Sequence, residues 1–156
     1  MRDIDFHSYE QVKLEDVAEF GRAKQGHVYP RGATTLQISA SRGQLGYLDF
    51  PSEVPTKDVV IIPQAGIHPR YFNYVMHKNI DAFMRKYSTG LNVQENEVGQ
   101  FPIEIHNGDT QEAVVRFLEF MDEQEKIIQD EIDGLTKTKK AMLNMMMVCS
   151  KYILNV

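Results

Sequence analysis

From Gln111 to Val156 the chain contains no proline and a single glycine, Gly134. Inside a helix a proline costs about 3 kcal/mol and a glycine about 1 kcal/mol, so this stretch is free to run as one unbroken helix. Apolar residues recur along it in sevens. Met121, Ile128, Leu135, Met142 and Cys149 form one row; Leu118, Ile132 and Met146 form the adjacent row, whose gaps hold Glu125 and Lys139. This is the a/d pattern of a coiled coil, with Glu125 and Lys139 at a positions. Acids precede bases: residues 111–133 sum to −6 and residues 134–156 to +4, the order that suits the helix macrodipole. About 44 helical residues reach roughly 66 Å at ~1.5 Å each. The preceding residues, 1–110, make too small a body to cover such a seam, so the helix is expected to project and pack against another helix.

The charges choose the orientation of that pairing. Glu125 and Lys139 each lie seven residues from Ile132. If two copies pair antiparallel about Ile132, Glu125 of one chain meets Lys139 of the other, twice, and each acidic half lies along a basic half. A parallel pair sets acid on acid and Lys139 on Lys139. The expected dimerisation residues are Leu118, Met121, Glu125, Ile128, Ile132, Leu135, Lys139, Met142 and Met146. The competing reading is an ordinary core helix in which Glu125 and Lys139 extend their charged ends to water.

Composition narrows the rest. The chain has 156 residues, a net charge of −5 and one cysteine, Cys149. A disulfide framework within the chain and a multi-cysteine metal site are excluded, and Cys149 reads as a seam residue. No apolar run of about 18 residues exists, so no membrane span is expected. Met1–Asp5 lacks the basic-then-apolar order of a secretory leader, and a cytoplasmic location is the expectation. The net negative sum hides two basic stretches: residues 20–48 carry +4 and residues 66–90 carry +3. Local patches of this kind govern phosphate contact more than the total does.

Residues 1–110 read as mixed α and β. Leu14–Phe20 is expected as a short helix stopped by Gly21. Thr34–Ser39 and Leu45–Phe50 read as strands around a turn at Arg42-Gly43. Asp58–Ile62 is a buried-type strand closed by Pro63. Pro69 suits the first position of a helix, and Phe72, Met76, Phe83 and Tyr87 mark one face of it, with Gly90 a natural stop. Gln100–His106 is a last extended segment whose Pro102 suggests a sheet edge, and Asn107–Thr110 reads as a turn and helix cap. The expected class is therefore α+β: a small mixed domain over 1–110 followed by one long coiled-coil helix over 111–156.

Catalytic signatures are missing from the sequence. There is no Walker loop, dinucleotide fingerprint, Gly-x-Ser-x-Gly elbow or His-Glu-x-x-His helix. His7, His27, His68, His77 and His106 are scattered, with no pair at metal-ligand spacing on one helix face. The expectation is a protein that is not an enzyme and carries no cofactor or metal.

The order of segments resembles a known family. Lys13–Glu19 resembles the opening of a target-recognition domain from the DNA specificity (S) subunit of Type I restriction–modification systems. Ile67-His68-Pro69-Arg70-Tyr71-Phe72-Asn73-Tyr74 is similar to the family's "Ile-x-Pro-x-Tyr-hydrophobic-x-Tyr" helix start. Gly90-Leu91-Asn92-Val93 resembles its "Gly-x-Asn/Gln-Ile/Val" stretch, and Gln100–Ile105 the strand before the spacer. Phe117-Leu118-x-x-Met121-Asp122 and Leu135–Leu143 resemble the spacer helix itself. The resemblance implies a subunit without catalytic residues. Such a subunit reads a split DNA target with two recognition domains held apart by antiparallel spacer helices. It docks two methyltransferase (M) subunits, which methylate adenine with S-adenosylmethionine, and in some complexes restriction subunits join. Here one recognition domain and one spacer are present, so the chain resembles half a subunit, and two copies paired antiparallel rebuild the two-domain arrangement.

On that reading the basic, glycine-containing loops are the DNA side. Arg22, Lys24, Arg31 and Arg42 stand among Gly21, Gly26, Gly32 and Gly43, which permit close backbone approach to phosphates. Gln37, Ser39, Ser41, Arg42 and Gln44 are candidates for base edges, and Tyr29 and Tyr47 for packing on the DNA backbone. Arg70 and Lys78 belong to the second helix and are expected to serve its surface. Two alternatives stay open: a truncated S-like interaction module that binds M or S subunits and modulates or blocks the system without reading DNA, and an unrelated helical dimerisation protein.

Overall fold

The computed structural model describes residues 3–40, 42–90 and 92–153, with side chains through Val148. The chain divides into two compact units, one ending at Val115 and one beginning at Arg116.

The first unit is built around strand β7 (Asp58–Pro63), which pairs antiparallel with β2 (Ala18–Arg22) on one side and β4 (Thr34–Gln37) on the other. Strand β5 (Leu45–Tyr47) adds to β4, giving the order β2-β7-β4-β5. Helix α2 (Pro69–Tyr87) covers one face: Phe72, Met76 and Phe83 are buried in one cluster with Leu36, Ile38, Val59 and Ile61. Val60 turns to the other face and packs with Ala23, Ala33 and Val54. A strand buried on both faces needs apolar residues at successive positions, which is why Val59-Val60-Ile61 shows no polar alternation.

Two shorter ribbons complete the unit. Strand β1 (Glu10–Lys13) pairs with β8 (Pro102–Ile105), and β3 (Val28–Tyr29) pairs with β6 (Ser52–Glu53). Pro102 sits opposite Lys13 at the end of a two-stranded ribbon, where its missing N–H costs no ladder bond. A 3-10 segment, Glu95–Gln100, precedes β8.

The expected helix over Leu14–Phe20 is corrected. Only Leu14–Val17 forms a helical turn, α1, and Ala18 is already extended at φ −147°. Ala18–Arg22 instead satisfies its backbone on β7, and sheet pairing outweighs the weak helical preference of so short a segment. Likewise the two hairpin strands are shorter than read, ending at Gln37 and Tyr47. Pro69 does open α2, and the His68 side chain caps it by accepting the Arg70 N–H at 3.2 Å.

The long helix α3 runs Gly108–Ile153. Asn107 Oδ1 accepts the Thr110 N–H at 2.8 Å, which satisfies an otherwise unpaired donor of the first turn. Its root is tied into the first unit. Gln111 Oε1 accepts the His68 N–H and Gln111 Nε2 donates to the His106 carbonyl, both at 2.8 Å, and Thr110, Gln111 and Val115 are buried. Beyond Arg116 the picture reverses: Met121, Ile128, Ile132, Leu135, Met142 and Met146 are each 48–67 % exposed in the single chain, and Leu118 is half-buried. The Cys149 side chain lies outside the described residues.

One glycine is required by packing. Gly43 has φ +83°, and a Cβ there would stand 2.7 Å from both Ile80 Cγ1 and Met84 Cγ on α2. Gly43→Ala is expected to destabilise the chain by about 2–4 kcal/mol, from left-handed strain plus overpacking. Urea unfolding monitored by circular dichroism measures this, and an unchanged midpoint contradicts the packing described.

Candidate nucleic-acid interface

Strand register assembles the polar surface. Arg22 pairs with Val59 and Gln37 with Asp58, so the end of β2 and the end of β4 reach the same edge of the sheet. There Arg22 Nη2 donates to Ser39 Oγ at 3.3 Å and Gln37 Nε2 to the Ser39 carbonyl at 2.9 Å. The Gln37 N–H donates to the Gln44 carbonyl at 2.9 Å, which closes the β4–β5 loop and sets the exposed Arg42 and Gln44 at the same edge. Lys24 follows β2, its N–H donating to the Tyr29 hydroxyl at 2.9 Å. Arg22, Lys24, Gln37, Ser39, Arg42 and Gln44 are thus brought together. Ser41 lies outside the described residues.

Arg31 is not part of this group. It precedes β4, whose first residue Thr34 pairs with Tyr47 and Ile61, and so stands at the opposite end of that strand. Within the chain the Arg70 guanidinium lies 4.4 Å from the Tyr47 ring centroid. Lys78 is engaged by the Glu104 carboxylate on β8.

Residues that sequence reading passed over share the edge. Glu95 Oε1 accepts the Arg22 N–H at 3.1 Å, and Asn92 Oδ1 accepts the Ala40 N–H at 2.9 Å. An open groove of about 580 Å³ is lined by Phe20, Arg22, Ile38, Val93, Gln94, Glu95 and Asn96. A second, of about 330 Å³, includes Arg22, Lys24, His27 and Tyr29, with the His27 and Tyr29 rings edge-on at 4.5 Å. Gln94 and Asn96 carry no charge and lie some seventy residues from Arg22 in sequence, so no local pattern marked them. The surface therefore combines cations with amide and hydroxyl groups, the chemistry of phosphate contact and base-edge hydrogen bonding.

Two groups titrate above their ordinary values, Tyr71 near the start of α2 and Asp58 at the polar edge. Burial pushes the Tyr71 hydroxyl up to about 12, where it serves as a donor to the Glu104 carbonyl at 2.7 Å. Burial also raises Asp58, with Lys57 opposing the shift, and Asp58 Oδ1 has no hydrogen-bond partner. Among the described residues no group of three His, Cys, Asp or Glu is placed to hold a metal ion, and no helix is long and apolar enough to cross a membrane.

No family model matches the chain, and no curated protein matches it by sequence. Solved structures match it by shape. The S subunit of a Type-I restriction-modification system from M. genitalium superposes with a TM-score of 0.63 over 83% of this chain, at 12% identity. The HsdS subunit from Thermoanaerobacter tengcongensis gives 0.60 over 81%, at 9% identity. The fold is that of a Type I S subunit. The chain spans 43% of the first S subunit's length and 40% of the second, so it covers less than half of either.

Asp58 yields a pH-dependent prediction. Its folded pKa is raised above the unfolded value near ~3.9, so its ionised form costs stability at neutral pH, and that cost disappears as pH falls below the unfolded value. Asp58→Asn is expected to raise the melting temperature at pH 7 by about 1–3 °C, with the gap to wild type closing toward acidic pH. Differential scanning calorimetry across pH checks this; a gap of constant size, or a less stable variant at pH 7, contradicts it.

Proposed function

We propose that the chain is a half-length DNA-specificity subunit of a Type I methyltransferase complex, acting in the cytoplasm and without catalytic residues of its own. Residues 1–110 read DNA through the Arg22–Gln44 edge. Residues 111–156 are the spacer, and two copies pair antiparallel about Ile132 as a homodimer of about 36 kDa, twice 17.9 kDa. The observation that supports this reading is a helix whose apolar row is exposed in the single chain, carried on an S-subunit fold. Exposed rows of this kind mark an interface. In the proposed register Glu125 and Lys139 supply opposite charges at the two polar a positions. The M subunits dock on the paired assembly, and a restriction subunit joins where the system cleaves.

The net charge of −5 and Glu95 at the groove favour a second reading: an S-like interaction module that binds M or S subunits and blocks the system without reading DNA.

Co-expression with a cognate M subunit and genome-wide mapping of methylated adenine separates the two. A two-fold homodimer presents the same reading surface twice, inverted. The expected motif is a palindrome interrupted by an unread gap. An asymmetric bipartite motif contradicts self-pairing, and the absence of any motif favours the interaction module.

A further inference from the structure

Asn92 belongs to no basic loop, yet its bonds reach the polar edge. Ala40 is, among the described residues, the one non-glycine with positive φ, at 48°. Left-handed backbone is disfavoured for any residue with a Cβ, so something must hold Ala40 there. Asn92 Oδ1 accepts its N–H at 2.9 Å. Asn92 is itself fixed from both sides: its carbonyl accepts the Thr89 N–H at 2.9 Å, and the Val93 N–H donates to the Ile38 carbonyl at 2.9 Å. Val93 and Ile38 are both buried, so the acceptor is anchored to the core rather than to another loop. On the far side of Ala40, Gly43 is seated against α2 and the Gln44 carbonyl is held by Gln37. Residues 38 and 40 are therefore held by Val93 and Asn92, and residues 43 and 44 by α2 and Gln37.

We propose that Asn92 is a positioning residue of the polar edge: by holding Ala40 left-handed it orients Ser39, and with it the Arg22 and Gln37 side chains that bond to Ser39, toward base edges, and so sets which base pairs are accepted without contacting DNA itself. The proposal rests on the DNA-specificity reading and adds to it a specificity determinant lying outside every basic stretch. Strained backbone next to a binding surface is retained where the surrounding structure over-determines it, and here the contact on Ala40 comes from Asn92, which the Val93–Ile38 bond anchors to the core.

The test uses the full chain with a cognate M subunit and compares wild type, Asn92→Ala and Asn92→Ala/Ala40→Gly. The readouts are the ratio of methylation at the wild-type motif to methylation at motifs differing by one base pair, and affinity for a duplex lacking the motif. Asn92→Ala is expected to lower the ratio about tenfold, the scale of one misplaced base contact, while affinity for the other duplex stays within about twofold because the phosphate contacts remain. Adding Ala40→Gly is expected to restore most of the ratio, since glycine adopts positive φ without being held. An unchanged ratio in Asn92→Ala overturns the proposal. So does an equal loss at every motif that Ala40→Gly fails to restore, which is the mark of simple misfolding. Amide exchange of Ala40 in the isolated chain supplies an independent check and is expected to quicken in Asn92→Ala. If it does so while wild type yields no motif, the DNA reading has failed and the specificity role falls with it. If wild type yields a motif that Asn92→Ala leaves intact, the Asn92 proposal alone has failed.

Discussion

Strand β7 is the constraint on which the first unit depends. It is hydrogen-bonded on both edges and apolar on both faces, so its register cannot slip by one residue without exchanging Val59 and Ile61 for Val60 beneath α2. That fixed register decides where β2 and β4 end. Because both neighbours run antiparallel to β7, the end of β2 and the end of β4 arrive at the same edge. Arg22 and Gln37 then meet over Ser39 although fifteen residues separate them in sequence. The polar edge is thus a consequence of core packing and not of a local motif.

The second unit obeys a different constraint. Its helix needs no tertiary packing to satisfy its backbone, but its apolar row is left in water in the single chain. Acids in the first half and bases in the second make like-with-like alignment repulsive and opposite alignment favourable. In the proposed pairing, the same charge order that stabilises one helix through its macrodipole also selects the direction of the partner. Under the proposed pairing, one encoded recognition surface serves twice.

Legibility in the sequence followed the range of the forces involved. The long helix, a turn and cap within Asn107–Thr110, the opening of α2 at Pro69 and the buried strand Asp58–Ile62 are readable because periodicity, capping and proline placement are local signals. Ala18–Phe20, read as the end of a helix over Leu14–Phe20, is strand because its outcome is decided by β7, some forty residues away. Strand β8 is legible in the extended segment Gln100–His106 with its Pro102, whereas its partner β1 and the ribbon β3–β6 are too short to show a period of two. The candidate surface is legible in part: its cations and glycines stand out, whereas Glu95, Asn96 and the bond from Ala40 to Asn92 enter only through the fold, and Arg31 looks equivalent to Arg22 until β4 separates them.

The central claim is that two copies of the helix pair antiparallel about Ile132. Its most direct measurement is a spin-label distance in the full chain, with one label at Asn144→Cys in a Cys149→Ser background. Asn144 is exposed and lies twelve residues from Ile132, so antiparallel pairing separates the two labels by about 36 Å along the helix axis, at ~1.5 Å per residue. A parallel pair would hold the labels within about 20 Å across two adjacent helices. A distribution centred near the longer distance is the predicted result; one centred at the shorter distance, or no intermolecular distance at tens of micromolar chain, contradicts the account.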